Sequence, residues 1–545
     1  MSSIAARPSR TAVLGAVLAL LLGLWLAGCA TEKAEPATPA PPPPDPGLDS
    51  GLVHTGGGAV RGVVADGYRL FYGIPYAAPP VGALRWQAPQ PAAGWPGERD
   101  ATRPGPRCIQ DTRRDPGSGH GDSEDCLNLN VWSPAGARGL PVLVWIHGGG
   151  FASGDGAMYN AARLATGGNV VVVTLNYRLG ALGFLAHSAL GEGNYGLADQ
   201  QAALRWVADN IGGFGGDPAK VTIAGESAGA MSVCDHLVAP GSTGLFRAAI
   251  IASGPCQKQT DLTAARIVSA AYARDRGCPD DKTAAACLRA LPATALTSPP
   301  WYIHMGDNWL TGPATGTSLL PVNPVDRLGT ENAARVPMLI GTTADEFTLF
   351  PAMQYLRTRT LPTAADYSRL ITSTFGSHAA VVLAEYPVAP GATDAQVVLQ
   401  YARTVTDGVF ACPAARMAGA QSAVAPVYAY QFNDPDAVAP ESMRHLPFPI
   451  GAGHALDLRY LFDIAGGSVP DAAQRALSAQ MIRYWAAFVT NATPNAETPD
   501  DDPDWPQLAD AAGAGPVMSL QPDGSRPIST FAGDHRCAFW AGLAA

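Results

Sequence analysis

One stretch constrains this chain more than any other: Val221-Thr222-Ile223-Ala224-Gly225-Glu226-Ser227-Ala228-Gly229-Ala230. Four β-prone, mostly apolar residues run straight into Gly-x-Ser-x-Gly, and an Ala-rich segment of helical character follows. Strand, sharp turn and helix must therefore succeed one another with almost no connecting chain. A residue held on such a turn takes a strained backbone conformation, so its neighbours must be small. Gly225 and Gly229 have no Cβ and let strand and helix pass closely. Taken alone the pattern is weak, because 60 glycines among 545 residues make a chance match easy. Its weight comes from what stands around it.

The surrounding chain repeats the same alternation. Leu140 to Ile146 and Asn169 to Leu175 are continuous apolar runs, as expected of parallel strands covered on both faces. Ala248 to Ala252 and Pro337 to Ile340 carry the pattern on. Ala198 to Ile211 has helical spacing (Ala203, Leu204, Val207, Ile211), with Gly212-Gly213 placed to cap it. Ala59 to Val64 and Arg69 to Tyr72 read as short strands of an N-terminal hairpin region. These elements predict an α/β fold with a doubly wound, mostly parallel sheet. The long segments 257–335 and 350–425 are expected to be mostly helical and to cover the carboxyl ends of the strands. With 47% apolar residues, there is material for a large core.

The first 50 residues are set apart. Arg7 and Arg10 precede an apolar run from Thr11 to Gly28, ending Leu26-Ala27-Gly28-Cys29. A basic start and an apolar core read as an export signal over 1–28. Its ending resembles the bacterial lipobox, in which the chain is cut before the cysteine and that cysteine is lipidated. The alternative is an uncleaved membrane helix, for which the run is just long enough. Residues 29–50, with Pro41 to Pro44 in succession, cannot bury apolar surface and read as an extended linker. The folded body is then 51–545, exported and lipid-anchored in a bacterial cell envelope. A net charge of −10 and the lack of any Lys/Arg run argue against a nucleic-acid partner.

A nucleophilic site needs a base, a group to orient the base, and donors for an oxyanion. His147-Gly148-Gly149-Gly150 follows a strand upstream of Ser227, where an oxyanion loop belongs. Its glycines let backbone N–H groups of Gly149 and Gly150 face the developing charge, joined by the amide of Ala228. An acid is expected after the serine. Asp345 and Glu346 both follow the strand ending at Ile340, and position alone leaves the choice open. His454, in the Gly-rich loop Pro449 to Ala455, completes the order serine, acid, histidine. His147 precedes the serine and belongs to the oxyanion loop. No cofactor is called for, and no Cys or His spacing suggests a metal site.

Together, the elbow, His147-Gly148-Gly149-Gly150-Phe151, Ser123 to Trp132, Asn176-Tyr177-Arg178, Gly193 to Gln200 and Phe214 to Pro218 resemble the type B carboxylesterases, relatives of the cholinesterases. The likeness runs over roughly residues 50–545 and implies an α/β-hydrolase fold and an ester substrate. It implies that the acid is Glu346, the glutamate of an Asp-Glu pair. It further implies that Glu226 and Ser253 support the base from behind. The family's disulfide pattern implies Cys108–Cys126, Cys278–Cys287 and Cys412–Cys537, while Cys234 and Cys256 stay open between a fourth bridge and free thiols. Cholinesterases hold a choline cation on a tryptophan between the first two cysteines. Residues 108–126 contain none, so the likeness stops short of such a site.

The rival reading is a lipid-tethered binding or adhesion protein, against which Ser227, Glu346 and His454 all stand. Amides, thioesters or carbamates would use the same catalytic groups. Trp301, Trp309, Phe151 and Phe350 are candidate walls of the pocket. An ordinary histidine base predicts that activity falls on the acid side at about pH 6 to 7.

Overall fold

The computed structural model describes residues 50–110, 121–305, 308–496, 499, 501–509 and 515–544. The expected export signal, Cys29 and nearly all of the linker lie outside these residues. Among the described residues no helix is long and apolar enough to cross a membrane.

The apolar runs form one eleven-stranded sheet. In chain order its strands are β1 (Val63–Ala65), β2 (Tyr68–Pro75), β3 (Asn128–Pro134), β4 (Leu140–Ile146), β5 (Val171–Leu175), β6 (Gly216–Glu226), β7 (Ala248–Ala252), β8 (Met338–Thr343), β9 (Val427–Phe432), β10 (Val517–Leu520) and β11 (Arg526–Ile528). Their spatial order is β11-β10-β9-β8-β7-β6-β4-β5-β3-β2-β1. The seven strands from β10 to β5 pair in parallel, whereas β1, β2 and β3 at one edge and β11 at the other pair antiparallel. The sheet is thus mixed at its margins and parallel through its centre, as in α/β-hydrolases.

The unbroken apolar runs follow from burial on both faces. Val142, Val144 and Ile146 of β4 point to one side with Ile223 and Ile251, against α2 (Tyr195–Asn210), α3 (Ala228–Val238) and α4 (Cys412–Ser422). Leu143 and Trp145 point to the other with Ala224 and Ile250, against α1 (Ala162–Gly168) and α5 (Ala472–Asn491). Each fully buried Val, Leu or Ile contributes about 1.5–3 kcal/mol, so the buried positions of β4 after Leu140 are kept apolar.

Three expectations need correction. The Ala59 to Val64 strand breaks at Gly62: Gly58–Arg61 joins Leu52–Thr55 and Glu98–Asp100 in a separate three-stranded sheet. Helix α2 is not capped by Gly212-Gly213. A tight turn over Ile211–Phe214 follows it, and the left-handed residue is Gly215, with φ 85°. Its missing Cβ would strike the Ala137 carbonyl. The 257–335 segment is not mostly helical. It holds helices Leu262–Asp275 and Ala284–Ala290, short two- and three-residue strands, and long irregular stretches. Pro292, Pro299, Pro300, Pro313, Pro321 and Pro324 explain this, since each removes an N–H and disfavours helix before it. The 350–425 segment is helical as expected.

All four disulfides among the described cysteines are formed. Cys108–Cys126, Cys278–Cys287 and Cys412–Cys537 agree with the expected pairs, and Cys234–Cys256 resolves the open one. That fourth bridge ties α3 to the turn after β7.

Candidate active site

Every element expected in the site ends on the carboxyl edge of the parallel strands, where loops diverge and leave room for a ligand. Strand β6 enters the turn at Glu226, and Ser227 sits there with φ 56° and ψ −121°, a conformation costly for any residue with a Cβ. The crowding around it explains the glycines. A Cβ on Gly229 would run into the Ile146 carbonyl, and one on Gly225 into the backbone of Gly229. The Ser227 N–H donates to the Ala252 carbonyl at 3.0 Å, so the turn is clamped to the neighbouring strand end.

The glycine loop after β4 lies against the elbow. A Cβ on Gly148 would stand 2.8 Å from Glu226 Oε2 and 3.1 Å from Ser227 Cβ. Gly149 and Gly150 have φ of 100° and 62°, which turns the chain back at once. Among the described residues, the N–H groups of Gly149, Gly150 and Ala228 donate to no protein acceptor. His147 is fully buried and stacks on Tyr177 with ring centroids 4.4 Å apart. Its Nδ1 lies 2.8 Å from the Gly148 carbonyl, and the Tyr177 hydroxyl donates to the His147 carbonyl at 2.8 Å. Burial holds its pKa down at about 4, so it is a neutral buttress of the loop.

The two carboxylates after β8 separate cleanly. Glu346 Oε2 is 2.5 Å from His454 Nδ1, and its Oε1 accepts the Thr343 N–H at 2.8 Å. Asp345 points elsewhere: its Oδ2 accepts the Ala452 N–H at 3.0 Å, and its own N–H donates to the Ala452 carbonyl at 3.0 Å. Asp345 thus pins the histidine loop, and Glu346 touches the histidine. Gly451, at φ 58°, passes so close that a Cβ there would collide with the Asp345 carboxylate.

His454 is enclosed by carboxyl groups. Glu226 Oε1 lies 3.0 Å from Nε2 but off the direction of a hydrogen bond, so neither atom is bonded. The Ser227 hydroxyl is not bonded to Nε2 either. Asp457, three residues on, is fully buried with both oxygens unbonded. Burial pushes Glu226 up to about 8 and Asp457 up to about 7. For His454, burial disfavours the cation, but Glu226 and Glu346 outweigh it and raise the group to about 9. Glu226 and His454 are close enough to hold one proton between them.

Aromatic walls complete the site. Phe350 and Phe410 face the His454 ring at 5.2 Å and 5.4 Å, and Phe347 stacks on Phe350 at 4.7 Å. Phe410 rides on a wide π turn, Thr406–Ala411, and the Thr406 hydroxyl accepts the Phe347 N–H at 3.1 Å. Of the expected wall residues, Phe350 alone faces His454. Phe151 is fully buried against Phe184, Trp309 is exposed beside His304, and Trp301 is half-buried at the start of the same hairpin. Ser253 sits at φ 54° beside the elbow, and its hydroxyl has no hydrogen-bond partner among the described protein groups. Sequence reasoning missed Asp457, Phe347, Phe410 and Leu310, whose Cδ2 closes on Gly150. Only Asp457, just past His454, carried a local signal. Among the described residues no group of three His, Cys, Asp or Glu side chains is placed to hold a metal ion.

The sheet order, the strained serine and the carboxyl-edge loops define an α/β-hydrolase fold with a serine-type site. The comparisons make this particular. The sequence profile of the carboxylesterase family matches residues 49–540. Cocaine esterase of Homo sapiens is 33% identical, the match covering 96% of this chain and 94% of that protein. Para-nitrobenzyl esterase of Bacillus subtilis is 35% identical over 82% of this chain and 91% of its own length. Fumonisin B1 esterase of Sphingopyxis macrogoltabida is 35% identical over 84% of each. The chain belongs to the carboxylesterase family and is a carboxylic ester hydrolase.

Proposed function

We propose that this carboxylesterase cleaves neutral esters with apolar or aromatic groups through an acyl-enzyme on Ser227. Ser227 Oγ attacks the ester carbonyl carbon as His454 Nε2 takes the hydroxyl proton. Glu346 accepts the Nδ1–H bond, holding the tautomer and stabilising the imidazolium. The carbonyl oxygen becomes an oxyanion facing the amides of Gly149, Gly150 and Ala228. Collapse breaks the C–O bond, and the departing alcohol leaves with the proton from His454. Water then attacks the acyl carbon by the same route and frees the acid. The observation that carries this reading is the 2.5 Å bond from His454 to Glu346, with Nε2 left unbonded beside the Ser227 elbow.

Phe347, Phe350, Phe410 and Leu310 support the preference for apolar groups, because they put apolar surface beside His454 and the glycine loop. The relatives are named for cocaine, fumonisin B1 and para-nitrobenzyl substrates, so what transfers is the ester rather than any one compound. An organophosphonate probe should label Ser227 and nothing in Ser227→Ala. A set of p-nitrophenyl esters should show higher kcat/KM for apolar acyl chains than for charged ones. Labelling that survives the substitution would overturn the assignment.

For the N-terminus, the reading is that residues 1–28 are removed on export and that Cys29 is lipidated. Residues 29–50 would then tether the enzyme outside the cytoplasm. The Leu-Ala-Gly-Cys ending supports it. A fatty-acid analogue should tag the wild type and not Cys29→Ser, and an untagged chain still starting at Met1 would favour a retained helix.

A further inference from the structure

A large cavity of this molecule, about 790 Å³, contains none of the groups proposed for catalysis. It opens between α1, the first half of α5 and the segment Arg459 to Pro470. Its size lies within the range of sites that take small organic ligands, about 300–1,000 Å³. Buried Tyr460, Phe462, Val438 and Ile482 make its apolar part.

The charges around it do not cancel. Four guanidinium groups line the cavity, from Arg163, Arg459, Arg475 and Arg483, against the single carboxylate of Asp463. Arg163 is paired with Asp463 at 2.6 Å, and Arg483 with Asp502 at 2.7 Å. Arg459 donates only to the carbonyls of Ile464 and Ala465, at 2.7 Å and 3.3 Å. Arg475 donates only to the Pro470 carbonyl, at 2.6 Å. Among the described residues neither has an acid partner. The nearby carboxylates are already engaged: Asp471 accepts the Gln474 N–H, and Asp434 holds the Tyr460 hydroxyl and the Gln474 side chain. Burial lowers the pKa of Arg459, the mark of a cation that lacks a counter-charge. An arginine fork recognises a carboxylate in plane and with two bonds, and both forks keep N–H groups to spare.

We propose that this cleft is a second, non-catalytic binding site for an amphipathic carboxylate. Its head group pairs with Arg459 and Arg475, and its hydrocarbon lies over Phe462, Val438 and Ile482. The ligand must be anionic to neutralise the two guanidiniums and must carry an apolar chain to cover the floor.

The test uses the full-length enzyme with decanoate, decanol and a diazirine-bearing decanoate. Titration calorimetry should show decanoate binding at least roughly tenfold tighter than decanol, since only the acid meets the guanidiniums. Photolabel should fall on the peptide holding Val438 or on peptides within 459–483, and be displaced by decanoate. Arg459→Gln should weaken binding roughly ten- to hundredfold. Because Arg459 also braces its own loop, Arg475→Glu is the cleaner variant: that side chain is exposed and bonds to one carbonyl. It should abolish the displaceable photolabel in this cleft while leaving the melting temperature and ester hydrolysis unchanged. Equal binding of decanoate and decanol, no displaceable label on Val438 or within 459–483, or unaltered labelling there in Arg475→Glu would each overturn the proposal.

Discussion

The serine turn and the histidine loop meet at one site but are built in opposite ways. The turn at Ser227 puts its sequence requirement into five residues: a Cβ at Gly225 would strike the Gly229 backbone, and one at Gly229 the Ile146 carbonyl. The loop at His454 is specified from far away in sequence. Asp345 holds the Ala452 backbone at both ends, Glu346 holds the ring, and Phe350 and Phe410 wall it in. A local device survives loss of its surroundings, whereas an assembled one depends on each distant partner. This contrast can be broken by experiment.

The largest effect is expected at the turn. Ser227→Ala should lose on the order of 10⁶-fold in kcat, as single removals from a triad do, with no loss of melting temperature. A drop below about tenfold would remove Ser227 from the chemistry. Next come the two carboxylates. Glu346→Gln should lose up to ~10⁴-fold in kcat and keep its fold. Asp345→Asn should instead lose about 1–3 kcal/mol of stability, by weakening the acceptor for the Ala452 N–H, with a much smaller fall in kcat. If Asp345→Asn is the crippled enzyme, the division between pin and acid is reversed.

The disulfide behind the turn sharpens the comparison. Cys234–Cys256 closes a separation of 22 residues, and its removal should cost roughly 3 kcal/mol in the chain-entropy model. Removing Cys412–Cys537, with a separation of 125, should cost roughly 5 kcal/mol. Calorimetry of the two double Cys→Ser variants checks the order. Because the turn is locally specified, the first variant should keep near-normal kcat at low temperature.

The smallest predicted change is a shift in pH dependence. The carboxyl groups around His454 favour its cation, so the acid limb of kcat/KM should lie above the ordinary histidine value of about 6.5 rather than at 6 to 7. Activity rises as pH climbs through the raised His454 pKa, because only neutral His454 accepts the proton of Ser227. Glu226→Gln removes a negative charge 3.0 Å from Nε2 and should move the limb down by roughly one unit or more. An unmoved limb would show that Glu226 carries no charge while His454 titrates.

Much of this protein was legible in one dimension, and the reasons are local. The parallel strands were visible because burial on both faces forces unbroken apolar runs, as in β4 and β5. Ser227, the glycine loop and the approximate place of His454 were visible because turns that crowd a backbone admit only glycine. The choice of Glu346 over Asp345 was not local: adjacent residues on a turn point in different directions, and only the folded chain shows which one meets Nδ1. Likewise Phe410 faces His454, and Phe347 stacks behind Phe350, because distant segments pack together, and no spacing announces that. Sequence also could not show that the Ser253 hydroxyl stays unbonded. It could not show that Arg459 and Arg475 face one cleft without a counter-charge. Side-chain direction and charge pairing depend on which surfaces touch, and tertiary packing alone decides them.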